Sequence, residues 1–315
     1  MMNQVKYSRG FSLVELMIAL LLGLLLSVGV INLFIEQKSN FMQTEELARM
    51  QENGRFALHL LAKEASLSGF FGGQIDLLEL EGKATGVVTE ACAKEISTPL
   101  TFVDQANHAT GLGAGNVIPC VAKVANDVSD LSDVLGIRRV SGSPTVFDGD
   151  TLGTITSNEE YLRIVDYGAN VAFLQGSSAP SGGGIAPGVD WSLWEYESKT
   201  FYVNNDDQLC MEAMTDSFST SIETCLIDGI EALQVEFGVL SAGGSTIQYK
   251  SSPTAAELAE AVSLRIYILT KTDPDGSYTD SKTYNIANLT AYTPNDSFRR
   301  RIYTTTAVLR NSVRL

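Results

Sequence analysis

The hydrophobic pattern divides the chain into three stretches with different periods. Residues 16–35 are almost all apolar, with two polar exceptions, and Glu15 stands at their head. About 20 consecutive apolar residues match the length of a membrane-spanning helix. Basic residues before such a stretch, here Lys6 and Arg9, favour a cytoplasmic N-terminus. The first stretch therefore predicts a membrane helix whose following residues lie outside the cytoplasm.

The second stretch changes to the period of an amphipathic helix. Residues 36–66 contain no proline and one glycine, Gly54. Apolar and small residues recur at spacings of three and four, which places them on one helix face. Glycines at 69, 72 and 73 are helix stop signals. We therefore predict one continuous helix over residues 11–67, with a buried face made by Leu47, Met50, Gly54, Ala57, Leu58, Leu61 and Ala65.

The third stretch, after Gly73, is rich in β-forming segments of period two. Such alternation is typical of a half-buried antiparallel sheet. A short capped helix is predicted over residues 255–261, and a glycine-rich and serine-rich loop over residues 176–188. The fold class is therefore α+β, a long N-terminal helix packed on a large antiparallel β-rich domain. The predicted strands are 100–103, 117–124, 134–140, 161–165, 193–203, 230–239, 262–270 and 300–309.

The composition argues against several classes of function. The net charge is −15, whereas sequence-independent nucleic-acid binding needs clustered Lys and Arg, so no direct nucleic-acid partner is expected. There are two histidines, and neither a Gly-x-Ser-x-Gly elbow, a His-Glu-x-x-His motif nor a phosphate-binding loop is present. An acidic segment over residues 273–280 lacks the downstream Glu of an EF-hand. We therefore predict no catalytic residue, no metal and no cofactor.

The cysteines indicate an oxidising compartment. Cys92, Cys120, Cys210 and Cys225 all follow the predicted membrane segment, and no two form a Cys-x-x-Cys pair. On the periplasmic side of a membrane such cysteines form disulfides. Four cysteines permit three pairings. The sequential one, Cys92–Cys120 and Cys210–Cys225, is favoured.

Glu15 distinguishes the N-terminal segment from common alternatives. A secretory signal has an apolar core of roughly 7–15 residues and a small-residue cleavage site, and this chain has neither. A plain membrane anchor gives no reason for a carboxylate at the head of the helix. A charge beside hydrocarbon costs a few kcal/mol and calls for a partner.

The octapeptide Arg9-Gly10-Phe11-Ser12-Leu13-Val14-Glu15-Leu16 resembles the class III signal of type IV pilins and type II secretion pseudopilins. The resemblance implies cleavage by prepilin peptidase after Gly10 and N-methylation of Phe11. It also implies that Glu15 pairs with the N-terminal ammonium of a neighbouring subunit. The implied domains are a leader (1–10), a transmembrane and filament-core half-helix (11–35), an amphipathic half-helix (36–68) and a periplasmic head (69–315).

Four later segments resemble minor pilins of the PilW type: residues 52–57, 132–135, 227–235 and 301–311. The resemblance implies a type IV pilin-like fold and a role in the tip complex that primes pilus assembly, twitching motility and adhesion. The expected partners are other minor pilins, the major pilin, a tip adhesin and the inner-membrane assembly platform. The expected location is the inner membrane, with a single pass and a periplasmic head, and then the pilus tip.

Two alternatives remain open from the sequence. The first is a J-type pseudopilin of a type II secretion pseudopilus, which shares the signal but usually has a shorter head. The second is an unprocessed, membrane-anchored periplasmic enzyme or receptor.

Overall fold

The computed structural model describes residues 12–74, 84–85, 99–103, 128–178, 188–215, 220–241, 246–276 and 278–311. The chain divides into two compact units, residues 1–49 and residues 50–315. Each unit is described by itself below.

Helix α1 (Leu13–Leu67) is continuous through both the apolar and the amphipathic stretches. In the first unit its apolar side chains are exposed to their surroundings from Leu13 to Ile35. By length and composition this segment could cross a membrane, with a mean hydropathy of 2.7 and none of it buried in the protein. The predicted start, Phe11, lies outside the described residues, and the predicted end at Leu67 agrees with the structure.

In the second unit α1 buries one face and ends sharply. The buried side of the helix consists of Met50, Gly54, Ala57, Leu58, Leu61, Glu64 and Ala65. Leu47 was predicted on this face but is 38% exposed, because the packed part of the helix begins at Met50. The helix stops where Gly69 takes a φ of 75°, a conformation that costs glycine little. The Gly69 N–H then donates to the Arg138 carbonyl at 3.0 Å.

The strands of the second unit follow the helix. In chain order they are β1 (Ala84–Thr85), β2 (Leu100–Val103), β3 (Val134–Val140), β4 (Val146–Phe147), β5 (Asp150–Thr151), β6 (Glu160–Val165), β7 (Asn170–Gln175), β8 (Trp191–Val203), β9 (Gln208–Thr215), β10 (Thr220–Asp228), β11 (Ile230–Leu240), β12 (Ile247–Lys250), β13 (Ala261–Lys271), β14 (Tyr284–Ile286), β15 (Leu289–Tyr292) and β16 (Arg300–Val308). Helix α2 (Ala255–Ala259) precedes β13.

Within the described residues the strands form a ten-stranded sheet, a four-stranded sheet and a small hairpin. The larger sheet has the path β1-β7-β6-β8-β3-β2, and the hairpins β4–β5 and β9–β10 both join it along β8. The smaller sheet has the order β12-β11-β13-β16, and all of its pairs are antiparallel. The hairpin is β14–β15. The predicted α+β class, with a long helix and an antiparallel β-rich domain, is confirmed.

The main core lies between both larger sheets and the buried face of α1. The ten-stranded sheet contributes residues such as Leu135 and Phe201, and the four-stranded sheet contributes Leu233 and Ile266. Leu61 of α1 is fully buried among them. The end of the helix is therefore part of the core of the second unit.

Several sequence predictions needed correction. The strands that were not predicted are β1, β4, β5, β7, β9, β10, β12, β14 and β15. In β9 and β10, polar residues interrupt the apolar pattern. Helix α2 is shorter than the predicted 255–261, since Ala261 already belongs to β13. Its start is a capping box, in which the Thr254 hydroxyl accepts from the Glu257 N–H. The predicted strand 117–124 and most of the loop 176–188 lie outside the described residues.

A buried guanidinium joins the four-stranded sheet to the β14–β15 hairpin region. The Arg300 side chain is 1% exposed and donates to both carboxylate oxygens of Glu231 and both of Asp296, at 2.6–2.7 Å. Its Nη1 also lies 3.4 Å from Asp280, which accepts from the Tyr284 hydroxyl at 2.7 Å. Burial alone would lower the pKa of Arg300, but the carboxylates of Asp296 and Glu231 outweigh it and raise that pKa.

We expect Arg300→Met to lower the free energy of unfolding by about 3–5 kcal/mol, because it leaves the Glu231 and Asp280 carboxylates buried without their cation. Urea unfolding of the full chain in detergent micelles measures this loss. The matched control is Lys250→Met, since the Lys250 and Glu257 side chains are 40% and 29% exposed and ion pairs at the surface contribute about 0–1 kcal/mol. Equal losses in the two variants would contradict the prediction.

Candidate assembly site

The N-terminal turn of α1 carries the one charged side chain between Leu13 and Ile35. The helix begins at Leu13, with the Leu16 N–H donating to the Ser12 carbonyl at 3.1 Å. Glu15 lies in this first turn and is exposed. A carboxylate is favourable there, because the free N–H groups of a helix start carry partial positive charge. The predicted cleavage and methylation residues Gly10 and Phe11 lie outside the described residues.

Within the second unit, α1 and β16 are in close contact. The Tyr303 ring lies against the helix backbone at Gly54, where an added Cβ would come within 2.5 Å of the ring. Gly54 is therefore required for this close approach. The Tyr303 hydroxyl is buried and makes no hydrogen bond within the described ranges. Burial raises the pKa of Tyr303, while the nearby charges of Arg301 and Arg55 act in the opposite direction.

Hydrogen bonds between distant parts of the chain hold both ends of the packed helix segment. The Asn53 amide donates to the Asp228 carbonyl at 2.9 Å, near the start of the segment. The Asn311 amide donates to the Ser68 carbonyl at 3.1 Å, at its end. A helix leaves its last carbonyls without partners, so Asn311 also satisfies the helix terminus.

A buried ion cluster links the same helix segment to the ten-stranded sheet. Arg139 of β3 donates to Glu64 of α1 at 3.1 Å and lies 2.7 Å from Glu197 of β8. Lys199 pairs with Glu197 and lies 3.7 Å from Glu64. All four side chains are 10–21% exposed. Desolvated charges are tolerated only when paired, so this cluster fixes the helix against β3 and β8.

The structure joins Cys210 and Cys225, one of the two predicted disulfide pairs. The two residues are directly opposite each other on β9 and β10. Glu223 lies beside them and completes a group of three potential metal ligands. Because the two sulfurs are bonded to each other, they are not the thiolates that a metal would require. Cys92 and Cys120 lie outside the described residues, and their pairing stays a prediction.

Comparison with known families decides the assignment. Residues 200–311 match the family model of Type IV Pilus-assembly protein W. Residues 5–31 match the Prokaryotic N-terminal methylation motif. The chain is thus a type IV pilin-like protein with a PilW segment and a prepilin methylation motif. Both resemblances noted in the sequence are thereby confirmed, and the PilW match extends from the end of β8 to the end of β16.

Two further comparisons carry no weight for the assignment. A solved type IV-like pilin from Thermus thermophilus aligns with 84% of this chain and 98% of its own, at 13% identity and a TM-score of 0.39. Comparison with curated proteins gives no significant match.

The sequence indicated some of these positions and missed others. It identified Glu15, the cysteines and the presence of Gly54 on the buried helix face. It did not predict that Tyr303 contacts Gly54 or that Glu64 pairs with Arg139. These partners are far apart in the chain, and no local pattern connects them. The available signal was Glu64 itself. It is a charged residue next to Ala65 on the buried face of the helix, and a charge in such a place needs a partner.

We expect Gly54→Leu to lower the free energy of unfolding by about 1–3 kcal/mol, because the larger side chain collides with the Tyr303 ring. A double-mutant cycle with Tyr303→Ala tests the cause. In the Tyr303→Ala background the added side chain has space, so Gly54→Leu should cost less there, giving a measurable coupling energy. Additive effects in thermal unfolding would show that the two positions do not interact.

We expect the double variant Cys210→Ser and Cys225→Ser to lose about 3 kcal/mol of stability, the loop-entropy value for closing a loop of about 15 residues. The measurement is urea unfolding, with thiol counting by mass spectrometry to verify the state of the other cysteines. An unchanged unfolding midpoint would mean that strand pairing alone already restrains this hairpin.

Proposed function

We propose that this chain is a minor pilin of the PilW type that joins the tip complex priming type IV pilus assembly. The observation that carries the proposal is the occurrence of both matches in one chain, the methylation motif over residues 5–31 and the PilW segment over residues 200–311. One protein therefore combines the signal that admits a subunit to a pilus with a head of the pilus-assembly type. Its role is structural, through binding to other subunits, and supports pilus biogenesis, twitching motility and adhesion.

In this proposal prepilin peptidase cuts between Gly10 and Phe11 and methylates the new N-terminus. The resulting subunit has an ammonium group at Phe11 and a carboxylate at Glu15, both beside apolar surroundings. A buried charge is costly alone and much cheaper when paired. Glu15 therefore binds the N-terminal ammonium of the next subunit and makes each insertion dependent on a neighbour.

The proposed domain order follows the same logic. Residues 1–10 are the leader, residues 11–35 the membrane and filament-core half of the helix, residues 36–68 its amphipathic half, and residues 69–315 the periplasmic head. The compact second unit begins at Met50, so the last turns of the amphipathic half already pack as part of the head. The partners are prepilin peptidase, the major pilin, other minor pilins, a tip adhesin and the assembly platform.

The test is a clean deletion in the native bacterium, with surface pili and exoprotein secretion measured in the same cultures. We expect few or no pili with normal secretion. Normal pili with trapped exoproteins would instead assign the chain to a type II secretion pseudopilus. If neither pilus number nor secretion changed, the proposal that the chain joins a filament would be wrong. An unprocessed, membrane-anchored protein would then be the better description.

Complementation with Glu15→Ala isolates the proposed charge pair. Loss of one partner from a buried ion pair costs about 3–5 kcal/mol, so pilus number should fall by at least about 100-fold. Glu36→Ala is the matched control, because Glu36 is also an exposed helix carboxylate but follows the apolar stretch. N-terminal sequencing checks that both variants are still cut before Phe11. Equal pilus numbers in the two strains would contradict the role of Glu15.

A further inference from the structure

β16 is an outer strand of the four-stranded sheet and pairs with β13 along one side. The Leu309 N–H donates to the Val262 carbonyl at 3.0 Å, which fixes the hydrogen-bonded positions of the pair. Because backbone groups alternate in an antiparallel ladder, the odd-numbered residues of β16 bond to β13. The backbone groups of the even-numbered residues from 302 to 308 point away from it, and in the described part of the chain nothing bonds to them.

The side chains at these even-numbered positions favour the addition of another strand to the edge. They are Ile302, Thr304, Thr306 and Val308, all β-branched and all exposed. Natural edge strands are normally protected by lysine, proline or a bulge. None of these occurs from Ile302 to Val308. The opposite side of the same strand is rigid, since Ala307 is buried in the main core and Tyr303 contacts α1.

An exposed arginine lies at each end of this edge, in a protein that is acidic overall. Arg301 and Arg310 are exposed at its two ends, and the Arg301 guanidinium lies 5.5 Å from the centre of the Tyr303 ring. Within the described ranges neither of these two guanidinium groups forms an ion pair. The chain as a whole has a net charge of −15. A local group of unpaired positive charges on such a surface favours a negatively charged partner.

A second copy of the same strand fits this edge poorly. Pairing two β16 strands antiparallel, so that the outward residues from Ile302 to Val308 face each other, would place the exposed Arg310 of each copy one residue from the exposed Arg301 of the other. Exposed like charges brought this close repel each other. The occupant is therefore better supplied by another protein with acidic residues at both ends of its strand.

We propose that the open edge of β16 binds an extended segment of another pilus subunit, a short run of β-branched or small residues with acidic residues at both ends. The segment extends the four-stranded sheet by one antiparallel or parallel strand, using backbone hydrogen bonds for affinity and the arginines for register. This inference rests on the proposed membership of a pilus tip complex and adds the surface through which the head makes contact.

Photo-crosslinking in the native bacterium tests the edge. A photoreactive amino acid is placed at Thr304 or at Val308, and the control is the same group at Tyr167, which is 81% exposed in the same unit. We expect adducts from both edge positions with one partner subunit. Peptide mapping should locate the two attachment points about four residues apart in one acidic-ended segment. Adducts with a second copy, attachment at unrelated segments, or no adduct would overturn the proposal.

Two sets of variants separate the contribution of backbone hydrogen bonds from that of the arginine charges. Thr304→Pro removes an outward N–H that makes no bond to β13, a position where an edge strand tolerates proline. Thr304→Ala is the matched control that keeps the N–H. We expect the crosslink at Val308 to fall about tenfold with proline and to persist with alanine, because only proline blocks the added strand.

Arg301→Glu combined with Arg310→Glu tests the charge requirement at exposed positions that do not enter the core. We expect the Val308 crosslink to fall about tenfold, because two attractions become repulsions. If the amount of Val308 crosslink stayed at the wild-type level in both this variant and Thr304→Pro, the edge proposal would be wrong. The pilin assignment would be unaffected. The pilin assignment fails separately, if deletion of the whole chain leaves pilus number unchanged.

Discussion

The close approach of α1 to β16 is the contact on which the second unit depends. Gly54 has no side chain, so the Tyr303 ring lies directly on the helix backbone. The positions that follow on this face include Ala57 and Ala65, which are fully buried. Small residues permit close packing, and interiors tolerate little extra volume. The helix therefore has small, buried side chains where it contacts the sheets, and large, exposed apolar side chains over its first turns.

The buried charges have a different role from the apolar core. Arg300 connects β16 to Glu231 of β11 and to Asp296 beyond the β14–β15 hairpin. Arg139 connects β3 to Glu64 of the helix. Hydrophobic contacts are non-directional, whereas a guanidinium with several carboxylates fits in few arrangements. These two clusters specify how the elements are joined, while the apolar residues supply the driving force.

The sequence was sufficient where local pattern determines structure. The end of α1 and the bounds of strands 134–140 and 300–308 could be predicted to within a residue or two. The hairpin β9–β10 could not, because Glu212 and Glu223 interrupt its alternation and a disulfide supports it. Arg300 and Arg301 appear as one basic run in the sequence. In the structure the strand pleat buries Arg300 and exposes Arg301, and only the three-dimensional arrangement shows which partners each one meets.

The hydrogen bonds at the two ends of the packed helix segment have a mechanical consequence. A pulling force along α1 reaches the second unit through the Asn53–Asp228 and Asn311–Ser68 contacts, the Gly54–Tyr303 packing and the Glu64–Arg139 ion pair. These contacts lie side by side along the helix, so the force shears them together instead of opening them one after another. Sharing tension in this way lets a marginally stable domain remain folded when its helix is pulled.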